Sequence, residues 1–277
     1  TFIPEEALAM PGYQLFASPT LYSGQTVTAQ VTNIGSSAAL VGLAIRIYNS
    51  ADTSEVISAD AQEIAAGDSA TLTWTVPDTA GMPIHAVGFE VRGGSVAVDS
   101  LTWSGTPTVT FARPQNRDAL LWRRQFVDAV DHFEARFFEA FRISNNAGRG
   151  IMSVGTRDWT DYTVTSEIMP YLAKNVGVAA RIGGLRRYIA LLLGNDGRLR
   201  LIELDDERET VLAEAECPWE VFQPVTFELT VQGDQATGRA NGVELTASIA
   251  GTRLTAGGAG FVIEEGTMGS EAITIRP

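Results

Sequence analysis

Apolar and polar residues alternate with a period of two over most of the chain, the spacing that sends successive side chains to opposite faces of a strand. In the first hundred residues the alternation runs through 26–31 (TVTAQV), 70–76 (ATLTWTV), 86–91 (AVGFEV) and 95–103 (SVAVDSLTW). The stretch 41–48 (VGLAIRIY) is more continuous, as expected of a strand buried on both faces. Gly, Pro, Asn, Asp and Ser fill the breaks at 33–37, 66–69 and 77–83. Strands at this spacing predict a β-sandwich or jelly roll without a helix.

A linker is predicted at 105–114, where Pro107 and Pro114 flank a short extended stretch. It divides the chain into an N-terminal sandwich, 1–112, and a C-terminal one, 113–277. The segment 119–141 reads two ways. Phe126, Val130, Phe133, Phe137 and Phe141 recur at helical spacing, while 120–126 reads as a strand. The expectation combines them: a strand, a helical turn at 128–134, and a strand through 138–143. Beyond it lie eleven candidate strands: 151–154, 162–170, 176–182, 188–193, 199–204, 209–214, 225–232, 235–240, 243–247, 258–264 and 270–275. Gly194-Asn195-Asp196-Gly197 and Asn241-Gly242 are hairpin turns, because these residues accept positive φ at low cost. Two jelly-roll sandwiches in tandem, all-β, is the predicted fold.

Charge narrows the partners. The net charge is −13, which argues against nucleic acid and anionic membrane surfaces, since both need clustered Lys and Arg. Neutral ligands, cations and proteins remain. The single cysteine, Cys217, permits no intrachain disulfide and reads as a half-buried, inert thiol. One free cysteine fits the cytoplasm, and bacterial secreted proteins also do without disulfides, so the compartment is left open. His85 and His132 are too few for a histidine zinc site. No apolar run approaches a membrane span. Starting at Thr1 without a signal peptide, the chain reads as a processed protein or a piece of a longer one.

The second half carries more specific residues: Gly148-Arg149-Gly150-Ile151, Trp159-Thr160-Asp161-Tyr162, Gly177 to Ile182 ending in Arg181-Ile182, Arg186-Arg187-Tyr188, Pro218-Trp219, Asn241-Gly242 and Gly260 to Gly266. In this order, over about 118–277, they resemble the concanavalin A-like jelly rolls of carbohydrate-binding modules and the laminin-G-like superfamily. The first half, from Ser18-Pro19-Thr20-Leu21-Tyr22 at its start to Val96–Trp103 at its end, resembles galactose-binding-like sandwiches. An immunoglobulin-like sandwich shows the same pattern. The pair resembles the C-terminal accessory region of bacterial ADP-ribosylglycohydrolase-family proteins, whose metal-binding acidic motifs have no counterpart here.

That resemblance implies a sugar site on a concave sheet. Arg181 and Tyr188 would sit on adjacent strands, with Glu264 (and Glu265) on a strand crossing them and Trp159 and Tyr162 nearby. A sugar needs planar donors and acceptors for vicinal hydroxyls and an aromatic face for its C–H groups. The alternative is a surface salt bridge over core aromatics. Arg187, with Arg186, belongs to a hairpin suited to an anionic group or simply to water. Calcium is a possible cofactor, at Asp205-Asp206-Glu207 with Glu203 and Glu209, or at Asp128 and Asp131 near Asn145 and Asn146. Asp99, in an apolar strand, could bind calcium or a ligand, and is expected rather to pair with Arg92 or cap a turn.

No complete catalytic constellation is present: neither histidine lies in a nucleophile motif, and neighbouring Glu264 and Glu265 point to opposite faces of a strand. Three readings follow in order. The first is a non-catalytic carbohydrate-binding accessory region of a larger hydrolase. The second is a structural module packing on a catalytic domain or on another copy of itself. The third is a jelly-roll glycoside hydrolase or lyase.

Overall fold

The structure, a computed structural model, describes residues 2–4 and 20–277. Ser18 and Pro19 of the galactose-binding-like cue lie outside the described residues. The chain divides into two compact units, Thr1–Pro107 with Ala119–Gln125, and Thr108–Asp118 with Phe126–Pro277.

In the first unit β1 (Phe2–Pro4), β7 (Ile84–Arg92), β3 (Ala39–Tyr48) and β4 (Ser54–Ser58) form one sheet in that order, with β5 (Gln62–Ile64) also on β3. The second sheet runs β6 (Ser69–Thr75), β2 (Thr26–Asn33), β8 (Val96–Ser104). Val27, Ala29 and Val31 of β2 are buried, as are Val41, Leu43, Ile45 and Ile47 of β3. The pairings β2 with β6 and β3 with β7 are those joining B to E and C to F in immunoglobulin-type sandwiches. β4 went unseen in the sequence because its residues are nearly all exposed, so no alternation marks it.

The segment 119–141 corrects the expectation. Leu121–Gln125 is a 3-10 turn belonging to the first unit. Asp52 accepts from the amides of Leu120 and Leu121, and the Gln125 side chain donates to the carbonyls of Gly81 and Trp122. The expected helical turn is instead two short strands, β10 (Val127–Ala129) and β11 (His132–Glu134). The helical spacing of the phenylalanines has another cause. Phe126, just before β10, Phe133 of β11 and Phe141 of β12 converge, with Phe126 5.3 Å from Phe141 and Phe133 stacked on Phe141 at 5.9 Å. The expected linker also holds β9 (Val109–Ala112), which pairs with the last strand and so opens the second unit. The border at 112/113 thus gives way to a chain that crosses between the units more than once.

The second unit contains β12 (Phe141–Val154), β13 (Tyr162–Gly184), β14 (Arg187–Gly194), β15 (Arg198–Asp205), β16 (Arg208–Glu216), β17 (Val225–Gln232), β18 (Gln235–Ala240), β19 (Val243–Ser248) and β20 (Gly258–Arg276). Several predicted strands are continuous: 162–170 and 176–182 are one strand of 23 residues, and 258–264 and 270–275 one of 19. Bulges let these long strands bend. β13 shifts register between Pro170 and Ala173, and β12 against β20 between Asn145 and Arg149. Each long strand therefore serves two sheets. One half of β13 pairs with β17, which continues into β18 and β19. The other half lies in the order β10-β12-β20-β13-β14-β15-β16. Between the sheets sit Val164, Val178, Leu191, Phe227, Leu229, Phe261 and Ile263, all buried. A methyl group on Gly238 of β18 would strike the Leu191 side chain of β14 at 2.5 Å, so the two layers are in direct contact.

The seven-stranded sheet is deeply cupped. Arg149 on β12 and Glu209 on β16 stand five strand steps apart, at least about 24 Å if the sheet were flat. They form an ion pair instead. Inside the cup Ile151, Ala179, Ile182, Tyr188, Ala190, Leu192, Ile202 and Val262 make a buried apolar cluster.

Candidate functional site

The expected Arg181–Tyr188–Glu264 clamp does not assemble. Arg181 sits on a bulge of β13, with a positive φ of 49° and a register shift between Ala179 and Ile182. The extra residue hands its place in the cup to Ile182. The guanidinium turns away and is 3% exposed. It donates to the carbonyls of Thr160, Leu254 and Gly233 and pairs with Asp161 at 3.3 Å. Tyr162 belongs to the same structural knot: its hydroxyl accepts from the Arg181 amide at 2.6 Å and faces the carbonyls of Gly257 and Gly258. Burial pushes its phenol up. Trp159 is fully buried, edge-on to Tyr162. It lies so close to Gly155 that a Cβ there would meet the indole at 2.4 Å. None of these three can touch a ligand. Tyr188 does lie in the cup but is 1% exposed. Burial raises its phenol pKa, against the effect of the neighbouring Arg149. Arg187 lies on the exposed hairpin, bound through two nitrogens to Asp206.

Glu264 is the expected residue that stands in a real cluster. Its partners lie in register across four strands: Arg149 opposite Glu264, Glu264 opposite Asn175, and Asn175 opposite Gly194. One Glu264 oxygen accepts from Arg149 at 2.9 Å and Asn175 at 2.9 Å, and the other from Lys174 at 2.6 Å. Burial opposes its charge, yet hydrogen bonds from Lys174, Arg149 and Asn175 outweigh that and hold its pKa at about 2. Burial likewise opposes the charge of Arg149, but Glu209 and Glu264 more than compensate and its pKa is raised. Asp196 and Arg200 pair beside this row, and the Arg200 bond holds the Asp196 carboxyl below its usual range.

These groups line a cleft of about 350 Å³ at the rim of the cup, floored by Leu192 and Ile202 and walled by Arg149, Lys174, Asn175, Asn195, Asp196, Arg200, Glu209 and Glu264. Gly194 is part of the design: a Cβ there would meet Asp196 Oδ1 at 2.5 Å, Arg200 at 2.9 Å and Asn175 Oδ1 at 3.0 Å. The cleft offers donors and acceptors in near balance, with three cations against three carboxylates. A carboxylate held ionised, as Glu264 is, accepts hydrogen bonds at neutral pH and does not serve as a general acid, which needs a raised pKa. Glu265 also departs from expectation. A φ of 45° breaks the strand alternation there, and its side chain lines a second cleft next to the first, sharing Lys174, Asn195 and Asp196 with it.

The acidic candidates for calcium are mostly paired. Asp205 and Asp206 hold Arg253 and Arg187, and Glu207 holds Arg186. Asp131 accepts from the Asn146 amide at 2.6 Å, and Asp128 is exposed on β10. Asp99 is exposed and accepts from the Thr32 hydroxyl rather than pairing with Arg92, whose ion pair is with Glu90. Among the described residues, no three His, Cys, Asp or Glu side chains are grouped to hold a metal. Cys217 is fully rather than half buried, and burial pushes its thiol up.

Fold and rim cluster together define a β-sandwich with a cupped sheet and a polar cleft at its edge. The sequence matches no protein-family model and no curated protein. Among solved structures, the chain is similar to the carbohydrate-binding module CBM66 from Bacillus subtilis, with a TM-score of 0.50 at 12% identity, covering 55% of this chain and 95% of the module. It is also similar to a Bacillus subtilis protein with a galectin-like fold, with a TM-score of 0.40 at 10% identity, over 55% of this chain and 87% of that one. A galectin from Caenorhabditis elegans matches with a TM-score of 0.35 at 8% identity, over 56% of this chain and 97% of the galectin. The first of these supports the sandwich fold. No helix among the described residues is long and apolar enough to cross a membrane.

Proposed function

We propose that this is a carbohydrate-binding β-sandwich protein that takes a neutral saccharide in the rim cleft. The observation carrying the proposal is the in-register row Arg149–Glu264–Asn175–Gly194 with Lys174, Asp196 and Arg200 beside it. Planar guanidinium, amide and carboxylate groups converge on one open cleft, the arrangement vicinal hydroxyls need. The balance of charge in the cleft suits an uncharged ligand over a polyanion. Similarity to a carbohydrate-binding module supports the fold on which such a site is built. The finer reading, also a proposal, is that the chain serves as a non-catalytic accessory region of a larger glycohydrolase, as the resemblance to ADP-ribosylglycohydrolase-associated regions implies. The exposed Phe137, Phe138, Leu172 and Phe222 favour a second reading, a module that docks on a catalytic domain or on another copy.

A glycan array probed with the full chain, with and without calcium, separates the two. The carbohydrate reading expects a saturable neutral-glycan hit that weakens at least tenfold in Arg149→Ala and is unchanged in Arg187→Ala. A blank array in both conditions overturns it and leaves the docking module.

A further inference from the structure

The rim cleft does not end at its polar wall. Next to it lies a larger cleft of about 680 Å³ whose lining changes from polar to apolar and aromatic, with Tyr171, Leu172, Pro218, Trp219 and Val221 along one wall. Lys174, Asn195 and Asp196 border both spaces, so the two adjoin. The Trp219 indole N–H donates to the Gly194 carbonyl at 2.8 Å, which places its ring where the Arg149–Glu264–Asn175–Gly194 row ends. Three strand spacings of about 4.8 Å give that row a length of about 14 Å, longer than one sugar ring.

The loop carrying Trp219 is firmly tied. The Cys217 amide donates to Gly197 at 2.7 Å, the Asn241 side chain to Pro218 at 2.8 Å and the Phe222 amide to Pro170 at 3.3 Å. Leu172 is 78% exposed and Val221 41%, apolar groups that contribute nothing to the core. Sugar rings have hydroxyl edges and an apolar C–H face. The polar cleft serves the first and an aromatic wall the second.

We infer that the ligand is a chain of several neutral sugar residues lying along both clefts as one groove, hydrogen-bonded over the Glu264 row and stacked on Trp219, rather than a single terminal sugar. The inference rests on the carbohydrate reading above and deepens it.

Calorimetric titration of the full chain with gluco-, galacto-, manno- and xylo-oligosaccharides of one to six residues tests this. Wild type is compared with Trp219→Ala, Leu172→Glu and Arg149→Ala. For at least one series, affinity should rise tenfold or more from the monosaccharide to the longer members. Trp219→Ala should remove that rise while leaving monosaccharide affinity within about twofold. Leu172→Glu, at an exposed position that leaves folding intact, should do the same and decides the matter if Trp219→Ala unfolds. Affinity independent of length but still lost in Arg149→Ala overturns the extended groove and leaves the carbohydrate reading standing. Failure of every series to bind overturns both.

Discussion

Glu264 and Arg181 show how differently two charged residues on neighbouring strands are used. Glu264 is held ionised by three donors at the edge of an open cleft, whereas Arg181 is spent on backbone carbonyls inside a knot of loops. The consequences are opposite. Glu264 has a folded pKa of about 2 against 4.5 for the free group. Its contribution to stability is present above pH 4.5 and is lost as pH falls towards 2. Glu264→Gln should therefore lower stability at pH 7 by about 2 kcal/mol, a value discounted for solvent screening. It should also flatten the acid limb between pH 4.5 and 2 in denaturant titrations across that range. Arg181→Ala leaves several buried carbonyls without donors and should cost about 3 kcal/mol of stability, read by thermal melting, with no specific effect on ligand affinity beyond the loss of folded protein. At Gly194 a single methyl group would enter the space of Asp196, Arg200 and Asn175. Gly194→Ala should weaken saccharide binding at least fivefold while shifting stability by about 1 kcal/mol, compared by calorimetry and melting.

At the scale of elements, alternation made most strands readable, because one face of each meets a core. β2, β3, β6, β7 and β8 lie within a residue or two of their expected limits. What alternation could not reveal is where it stops. The bulge at Arg181 hands the next inward position to Ile182, so the place in the cup that the resemblance implied for Arg181 is filled by an apolar side chain, and a positive φ at Glu265 interrupts the alternation that set it opposite Glu264. The exposed β4 and the short β10 and β11 had no period to read. The Asn241-Gly242 hairpin was legible from turn chemistry alone. Its second role emerges only in three dimensions, where the Asn241 side chain holds the Pro218 carbonyl and with it the Trp219 loop. Asn241→Ala removes both that bond and a residue tolerant of its φ of 46°. It should speed amide exchange across 217–223 by an order of magnitude or more, measured by hydrogen–deuterium exchange mass spectrometry.

At the scale of the molecule, the cup gathers the polar cluster around Glu264 and keeps it apart from Arg181. A sheet curved until Arg149 and Glu209 meet across five strand steps turns its concave face into a small core around Tyr188, Leu192 and Ile202, with the proposed ligand cleft at its rim. Of the residues lining the proposed groove, the sequence pointed to Glu264 but not to Arg149, Lys174, Asn175, Arg200 or Trp219. Their common position follows from strand register and curvature, and neither is written in local pattern. Arg149 and Trp219 did stand in recognisable motifs, beside Gly148 and Pro218. With a net charge of −13, the protein should pass through a heparin column without retention at physiological ionic strength.

The central claim is the location of a saccharide on the rim of the cup. Backbone amide shift mapping of the full chain, titrated with the strongest oligosaccharide from the array, tests it most directly. Perturbations should cluster at Lys174, Asn175, Gly194, Asn195 and Glu264 and extend to Trp219. Perturbations centred instead on Trp159, Tyr162 and Arg181, or none at saturating ligand, would contradict it.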